Sequence, residues 1–238
     1  MALLSEEHVA ALAATAGGAA CSVWAARTHP GAWIVPFSRG LAILMLSAYV
    51  TENVAVTVRG DWSVERSLPL HLTDAVTLLS ALALWRPRPL LFELAYFWGL
   101  TASLQAVLTP DLGRGFPSIF FWTYFATHSG AVVAALFLAW GLRLTPRPGS
   151  VPRVFAATVG FAAAAGIADL LTGGNYMFLR EKPDSASLLD LMGPWPWYIA
   201  VTALLAVAMF AALDAPFRSR RASLQPPSRS AGPGRERR

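Results

Sequence analysis

Apolar runs of roughly 20 residues, broken by short polar stretches, recur along the whole chain. They cover about residues 8–26, 38–57, 68–85, 90–108, 118–142, 151–172 and 195–213. A helix rises about 1.5 Å per residue, so each run is long enough to cross about 30 Å of hydrocarbon. The pattern predicts an all-α fold, a polytopic membrane helix bundle of about seven transmembrane helices. The first and sixth runs are rich in Ala and Gly (Ala19, Ala20; Ala162 to Gly166), which permits close helix packing. No internal repeat is visible, so an inverted-repeat transporter architecture has no support. The longest polar and aromatic interruption is Gly173 to Tyr198. Its loop, 173–194, is expected to cover a site as a lid or to anchor in the interface through Tyr176, Phe178, Trp195, Trp197 and Tyr198.

Composition agrees with the pattern. Charged residues make up 14% of the 238, where a soluble domain carries about a quarter. The net charge of +5 is first a topology signal. One set of connections, with the tail, holds fourteen of the nineteen Lys and Arg residues and the other holds five. The richer set belongs in the cytoplasm, which puts the N-terminus outside and the C-terminus inside. Without the tail the bias is seven to five in the same direction. The expected organisation is a transmembrane domain over 1–214 and a disordered basic cytoplasmic tail over 215–238, in a multi-pass protein of the plasma (inner) membrane. Ser5-Glu6-Glu7 in place of a basic start argues against a cleavable signal peptide. A single cysteine, Cys21, excludes an internal disulfide framework and a cysteine metal site. No folded basic and aromatic module suggests nucleic-acid binding. Membrane lipids are the expected partners, and nothing in the sequence assigns an oligomeric state.

With that orientation, the intramembrane polar groups collect in the outer half. Glu52 and Asn53 end the second span, and His71, Thr73 and Asp74 open the third. Gln105 and Asp111 close the fourth, His128 lies in the fifth, and Asp169 ends the sixth. Asn175, Arg180 and Lys182 lie in the loop above. Charges at membrane depth cost several kcal/mol and so face a bundle interior or a water-filled cavity. A shared outward cavity is the sharper reading and scattered structural pairs the plainer one. Glu93, near the inner end of the fourth span, is expected to pair with Arg86 or Arg88. His71 and Asp74 are three apart and share a helix face, so Asp74 is expected to orient the imidazole. Thr73 becomes a nucleophile only beside a base, and His128 is the candidate, although the two differ by about 7 Å in predicted depth. The plainer reading bonds the Thr73 hydroxyl to its own helix backbone. His71, Asp74 and His128 with Asp169 or Glu52 make a nitrogen-and-oxygen set, but no H-x-x-x-H or H-x-x-E pair fixes two ligands. No metal and no cofactor is therefore assigned. No G-x-S-x-G and no phosphate loop is present.

Several short motifs together resemble the bacterial YwaF-like integral membrane proteins. They are Leu68-Pro69-Leu70-His71-Leu72, Glu93 with Tyr96-Phe97-Trp98-Gly99-Leu100, and Gln105-Ala106 with Leu108-Thr109-Pro110-Asp111-Leu112. Phe116-Pro117, Tyr124-Phe125 with His128, Asn175-Tyr176-Met177-Phe178-Leu179 with Lys182-Pro183, Ser187-Leu188-Leu189-Asp190 and Gly193-Pro194-Trp195-Pro196-Trp197-Tyr198 continue the match over most of 40–213. That family is distantly similar to a eukaryotic transmembrane acyltransferase that remodels the acyl chains of ether phospholipids. The resemblance implies a cysteine in the segment of Pro69-Leu70-His71 and a histidine in a later span. His128 matches the histidine. Leu70 stands at the cysteine position, so thioester chemistry is ruled out and Thr73 is the surviving candidate nucleophile. Three functions remain open: a lipid acyl hydrolase or acyltransferase, a transporter or binding protein for a small polar ligand, and a structural partner protein.

Overall fold

The computed structural model describes residues 4–183 and 187–224, with side chains of the last helix through residue 219. Among the described residues the chain is all-helical, as the apolar runs predict. Its long helices are α1 (Glu6–Thr28), α2 (Ile34–Val58), α3 (Leu72–Trp85), α4 (Pro89–Leu108), α5 (Ile119–Gly141), α6 (Ser150–Thr172) and α7 (Trp197–Leu224). All but α3 are long and apolar enough to cross a membrane, which makes six candidate spans. Backbone polar groups have no partner in hydrocarbon except one another, so apolar runs of this length close into helices.

The bundle is built around α4 and α5. In each, 61% of the most apolar window is buried inside the protein, against 17–22% in α1, α2, α6 and α7. The outer helices pack through narrow seams of small residues. On α1 the seam is His8, Thr15, Ala19, Ser22 and Ala26; on α2 it is Ser38, Ala42, Met45 and Ala48. Gly130 of α5 shows why small residues are needed. A Cβ built there would lie 2.6 Å from Met45 Cγ, too close for any side chain. Both central helices carry a π-turn, at Gly99–Ser103 in α4 and Phe137–Gly141 in α5.

Three expectations change. The third helix begins at Leu72 rather than near 68, leaving 14 residues or about 21 Å of helix against about 30 Å of hydrocarbon. Pro69 lacks an N–H and disfavours helix in the residue before it, so the chain enters α3 in irregular conformation. Glu93 is fully buried and pairs with Arg147 and Arg153, not with Arg86 or Arg88. Arg88 is extended as the N-cap before Pro89, outside the helix, whereas the 142–149 connection folds back beneath α4. One Glu93 oxygen accepts from the Arg147 backbone N–H at 3.0 Å and its Nε at 2.9 Å, and the other from Arg147 Nη2 and Arg153 Nη1, both at 2.9 Å. This carboxylate raises the pKa of the Arg147 guanidinium above its ordinary value. The last helix continues through Leu224, so the first ten residues of the expected tail are helical. Phe217 is buried against Tyr96 and Trp140, and Arg218 Nε meets Asp214 Oδ2 at 2.7 Å. The remaining tail, 225–238, lies outside the described residues.

The two ends of the bundle are therefore distinct. His8 near the start of α1 bonds the Val107 carbonyl late in α4, whereas Asp214 late in α7 meets Ser150 at the start of α6.

Candidate functional site

Because α3 starts late, space remains above it. A cavity of about 490 Å³ fills that space, set between the end of α2, the beginnings of α3 and α5, and the 59–68 and 111–114 connections. Irregular backbone at membrane depth is tolerated where it lines such a cavity. Glu52, Asn53, His71, Thr73, Asp74, Asp111 and His128 all line it. The expected 7 Å depth mismatch between Thr73 and His128 does not keep them from a common wall, since the cavity spans both levels.

Thr73 sits in the first turn of α3, where the residue four back is Pro69, outside the helix. Thr57, Thr77, Thr127 and Thr158 each give their hydroxyl to the carbonyl four residues earlier. Thr73 has no helical carbonyl at that position, and its hydroxyl bonds no other described residue. It is left to the cavity. His128 lines the same cavity, with its ring packed at a tilt against Tyr124 at a centroid distance of 4.2 Å. Its Nδ1 is buried without a hydrogen-bond partner among the described residues. Among the described residues no carboxylate bonds the ring, so the Thr73–His128 arrangement they form is that of a dyad.

The expected Asp74–imidazole contact is replaced by another. His71 is the N-cap of α3 and not part of its helical face, and Asp74 Oδ2 accepts its backbone N–H at 3.1 Å. The His71 ring instead packs 5.3 Å from Tyr176 and 6.1 Å from Phe178. Glu52 lines the same cavity as Asp74. Four carboxylates, Glu52, Asp61, Asp74 and Asp111, and two imidazoles thus line one cavity. Among the described residues no group of three His, Cys, Asp or Glu side chains is arranged to hold a metal ion.

Five expected residues lie elsewhere. Gln105 is exposed and bonds Thr109 on its own helix. Asp169 is buried behind the wall, where Oδ1 accepts the Tyr176 N–H at 2.6 Å and Oδ2 has no partner among the described residues. Asn175 folds the loop on itself, accepting from the Arg180 and Glu181 N–H groups and donating to the Glu181 carbonyl. Arg180 reaches the Gly174 carbonyl, and Lys182 lies 3.9 Å from Asp190. These loop groups are held by partners within the loop, and none of them lines the cavity.

The 173–183 stretch does not cover the cavity; it holds the wall from behind. Tyr176, fully buried, donates its hydroxyl to the Val64 carbonyl at 2.7 Å and accepts the Leu68 N–H at 2.9 Å. Gly174 comes so close that a Cβ there would lie 2.6 Å from the Glu65 carbonyl oxygen. Sequence reasoning also missed Tyr124, which lines the cavity and donates to the Ala106 carbonyl at 2.9 Å. Its spacing of four from His128 on one helix was the available signal.

A bundle of apolar helices around a polar cavity sunk into one end defines a multi-pass membrane protein. The chain belongs to the TMEM164 family, whose sequence profile matches residues 3–214. It is 29% identical over 184 residues to an uncharacterized protein of Treponema pallidum (strain Nichols), covering 75% of this chain and 73% of that one. No solved structure matches.

Proposed function

We propose that the chain is a plasma-membrane enzyme whose cavity opens outward and which hydrolyses or transfers a lipid acyl group. The observation that supports this best is a threonine hydroxyl without a backbone acceptor on the wall of the cavity that His128 also lines. The outward orientation rests on the Lys and Arg asymmetry of the connections. The acyl chemistry rests also on the resemblance to YwaF-like proteins and, through them, to a phospholipid acyltransferase.

In this reading His128 takes the Thr73 proton as Oγ1 attacks an ester carbonyl. The negative charge that develops on the carbonyl oxygen needs a donor aimed at it, and His71, on the same wall, is the group for that task. Collapse breaks the bond to the leaving alkoxide, which takes the proton from His128. Water or a second alcohol then attacks the threonyl ester, with His128 again as base, and the acyl group leaves as acid or new ester. Asp74 positions His71 by holding the N-terminus of α3.

A fluorophosphonate probe applied to membranes tests this. Labelling should fall by about 10²-fold or more in both Thr73→Ala and His128→Ala and survive in Thr73→Ser. Unchanged labelling in Thr73→Ala would sink the nucleophile. A second reading has its own observation, the placement of Glu52 and Asp74 on one cavity. Intramembrane carboxylates in such a setting relay protons or hold a small polar ligand. Absence of probe labelling, with proton-coupled uptake abolished in Asp74→Asn, selects that reading.

A further inference from the structure

We infer that the mouth of the cavity is a phosphate-binding site built by Arg59, Arg66 and Arg114. All three line the cavity, and they come from separate places in the chain: the end of α2, the irregular entry to α3 and the connection before α5. The Arg59 and Arg114 guanidiniums each lie 5.9 Å from the centroid of the Phe120 ring, so they are no further apart than twice that distance. Arg59 commits its Nε to Asp61 at 2.9 Å, which leaves its Nη groups for another acceptor. Arg66 has a long contact of 3.4 Å from Nε to Ser63 Oγ. Arg114 makes no hydrogen bond to any described residue. Asp61, already taken by Arg59, Asp111, and Glu65 beside Arg66 are the carboxylates at this level; Glu52 and Asp74 lie deeper.

The opposite end of the bundle shows what this chain does with arginines that have a structural role. There Arg147 and Arg153 converge on Glu93, and Arg218 on Asp214, with the donors facing carboxylates. At the mouth, Arg59 and Arg114 lie against one aromatic ring and Arg66 lines the same cavity, with most of their N–H groups uncommitted. Like charges brought together this way repel one another until an anion joins them. The guanidinium fork matches phosphate oxygens in pairs. The ligand class is thus a phosphate or phosphate ester, borne either on a lipid headgroup or on a soluble molecule. The site rests on the cavity and does not depend on the acyl-transfer chemistry.

The test uses the full chain, delipidated in dodecyl maltoside, with thermal unfolding as readout. Inorganic phosphate is titrated against chloride at matched ionic strength, and phosphatidic acid against diacylglycerol. A rise in Tm with phosphate and not chloride identifies a soluble phosphate ligand. A rise with phosphatidic acid and not diacylglycerol identifies a headgroup. Either effect should weaken by about tenfold in apparent affinity for each guanidinium removed in Arg59→Gln, Arg66→Gln and Arg114→Gln. It should persist in the Arg86→Gln/Arg88→Gln control and in Thr73→Ala, which separates this site from the acyl reading. Arg114→Gln alone loses no protein hydrogen bond, so it provides a folded variant if the triple change does not fold. The proposal is overturned if neither ligand stabilises the protein. It is equally overturned if chloride or diacylglycerol does as well, or if Arg114→Gln and the triple variant respond like the parent.

Discussion

The two ends of the bundle use the same residue types in opposite ways. At the far end, Glu93 is fully buried and accepts four hydrogen bonds from Arg147 and Arg153, while Asp214 meets Arg218 and Ser150. These contacts tie the 142–149 connection and the start of α6 to α4 and α7. At the cavity end, Glu52 and Asp74 line the cavity without a paired arginine among the described residues, and the arginines stand at the mouth, where Arg59 meets Asp61. A buried carboxylate saturated by guanidiniums is spent on structure. Carboxylates, imidazoles and a hydroxyl that face solvent-filled space keep capacity for a ligand. Intramembrane charge alone therefore does not mark a functional site; the satisfaction of its hydrogen bonds does.

This contrast can be broken from either side. The largest expected loss of activity follows His128→Ala, which should abolish probe labelling by about 10²-fold or more. Its cost in stability should come from lost packing of the ring on Tyr124 and not from a lost Nδ1 hydrogen bond. The largest expected loss of stability follows Glu93→Ala, which leaves two guanidiniums without their carboxylate. Removing one partner of a buried pair costs about 3–5 kcal/mol. The low end applies, since both arginines reach solvent, and it should appear as a lowered Tm in detergent with the cavity chemistry retained in whatever folds. Next comes Tyr176→Phe. It removes two hydrogen bonds to the 64–68 segment, at about 1 kcal/mol each, and amide exchange across 61–71 should quicken relative to the helices. The smallest effect is Thr73→Val, expected to lie within about 0.5 kcal/mol of the parent, whereas Thr77→Val loses a helical hydrogen bond. Equal destabilisation by the two would show that the Thr73 hydroxyl is engaged after all.

Much of the fold was legible because it is local. Seven apolar runs correspond to seven helices, and their ends agree within a few residues; the two differences that shape the site and the core are the start of α3, shifted by four as the start of α2 also is, and the end of α7. The first exception was written in Pro69, whose missing N–H was available to the eye. The second was not, because the helix past Asp214 persists through tertiary contacts of Phe217 with Tyr96 and Trp140. In the candidate site, Glu52, Asn53, His71, Thr73, Asp74, Asp111 and His128 were gathered by a depth argument, and the cavity does bring them together. The same argument also collected Gln105, Asp169 and the loop residues Asn175, Arg180 and Lys182. Depth says nothing about the rotation of a helix or the inward folding of a loop, so those five were beyond its reach. The partner of Glu93 was beyond it too, because Arg147 is 54 positions away along the chain.

The sequence by itself determined that this is an all-helical protein of the membrane, where its helices lie, and at which end the polar residues collect. Those properties follow from hydrophobic length and the need of each backbone group for a partner, and both act within a single segment. Only the tertiary structure decided which polar groups meet. It saturated Glu93, left the Thr73 hydroxyl facing a cavity, and made the 173–183 part of the loop, expected as a lid or an interfacial anchor, a brace behind the wall. Such outcomes depend on helix rotation and on contacts between segments far apart in the chain, and no single segment encodes them.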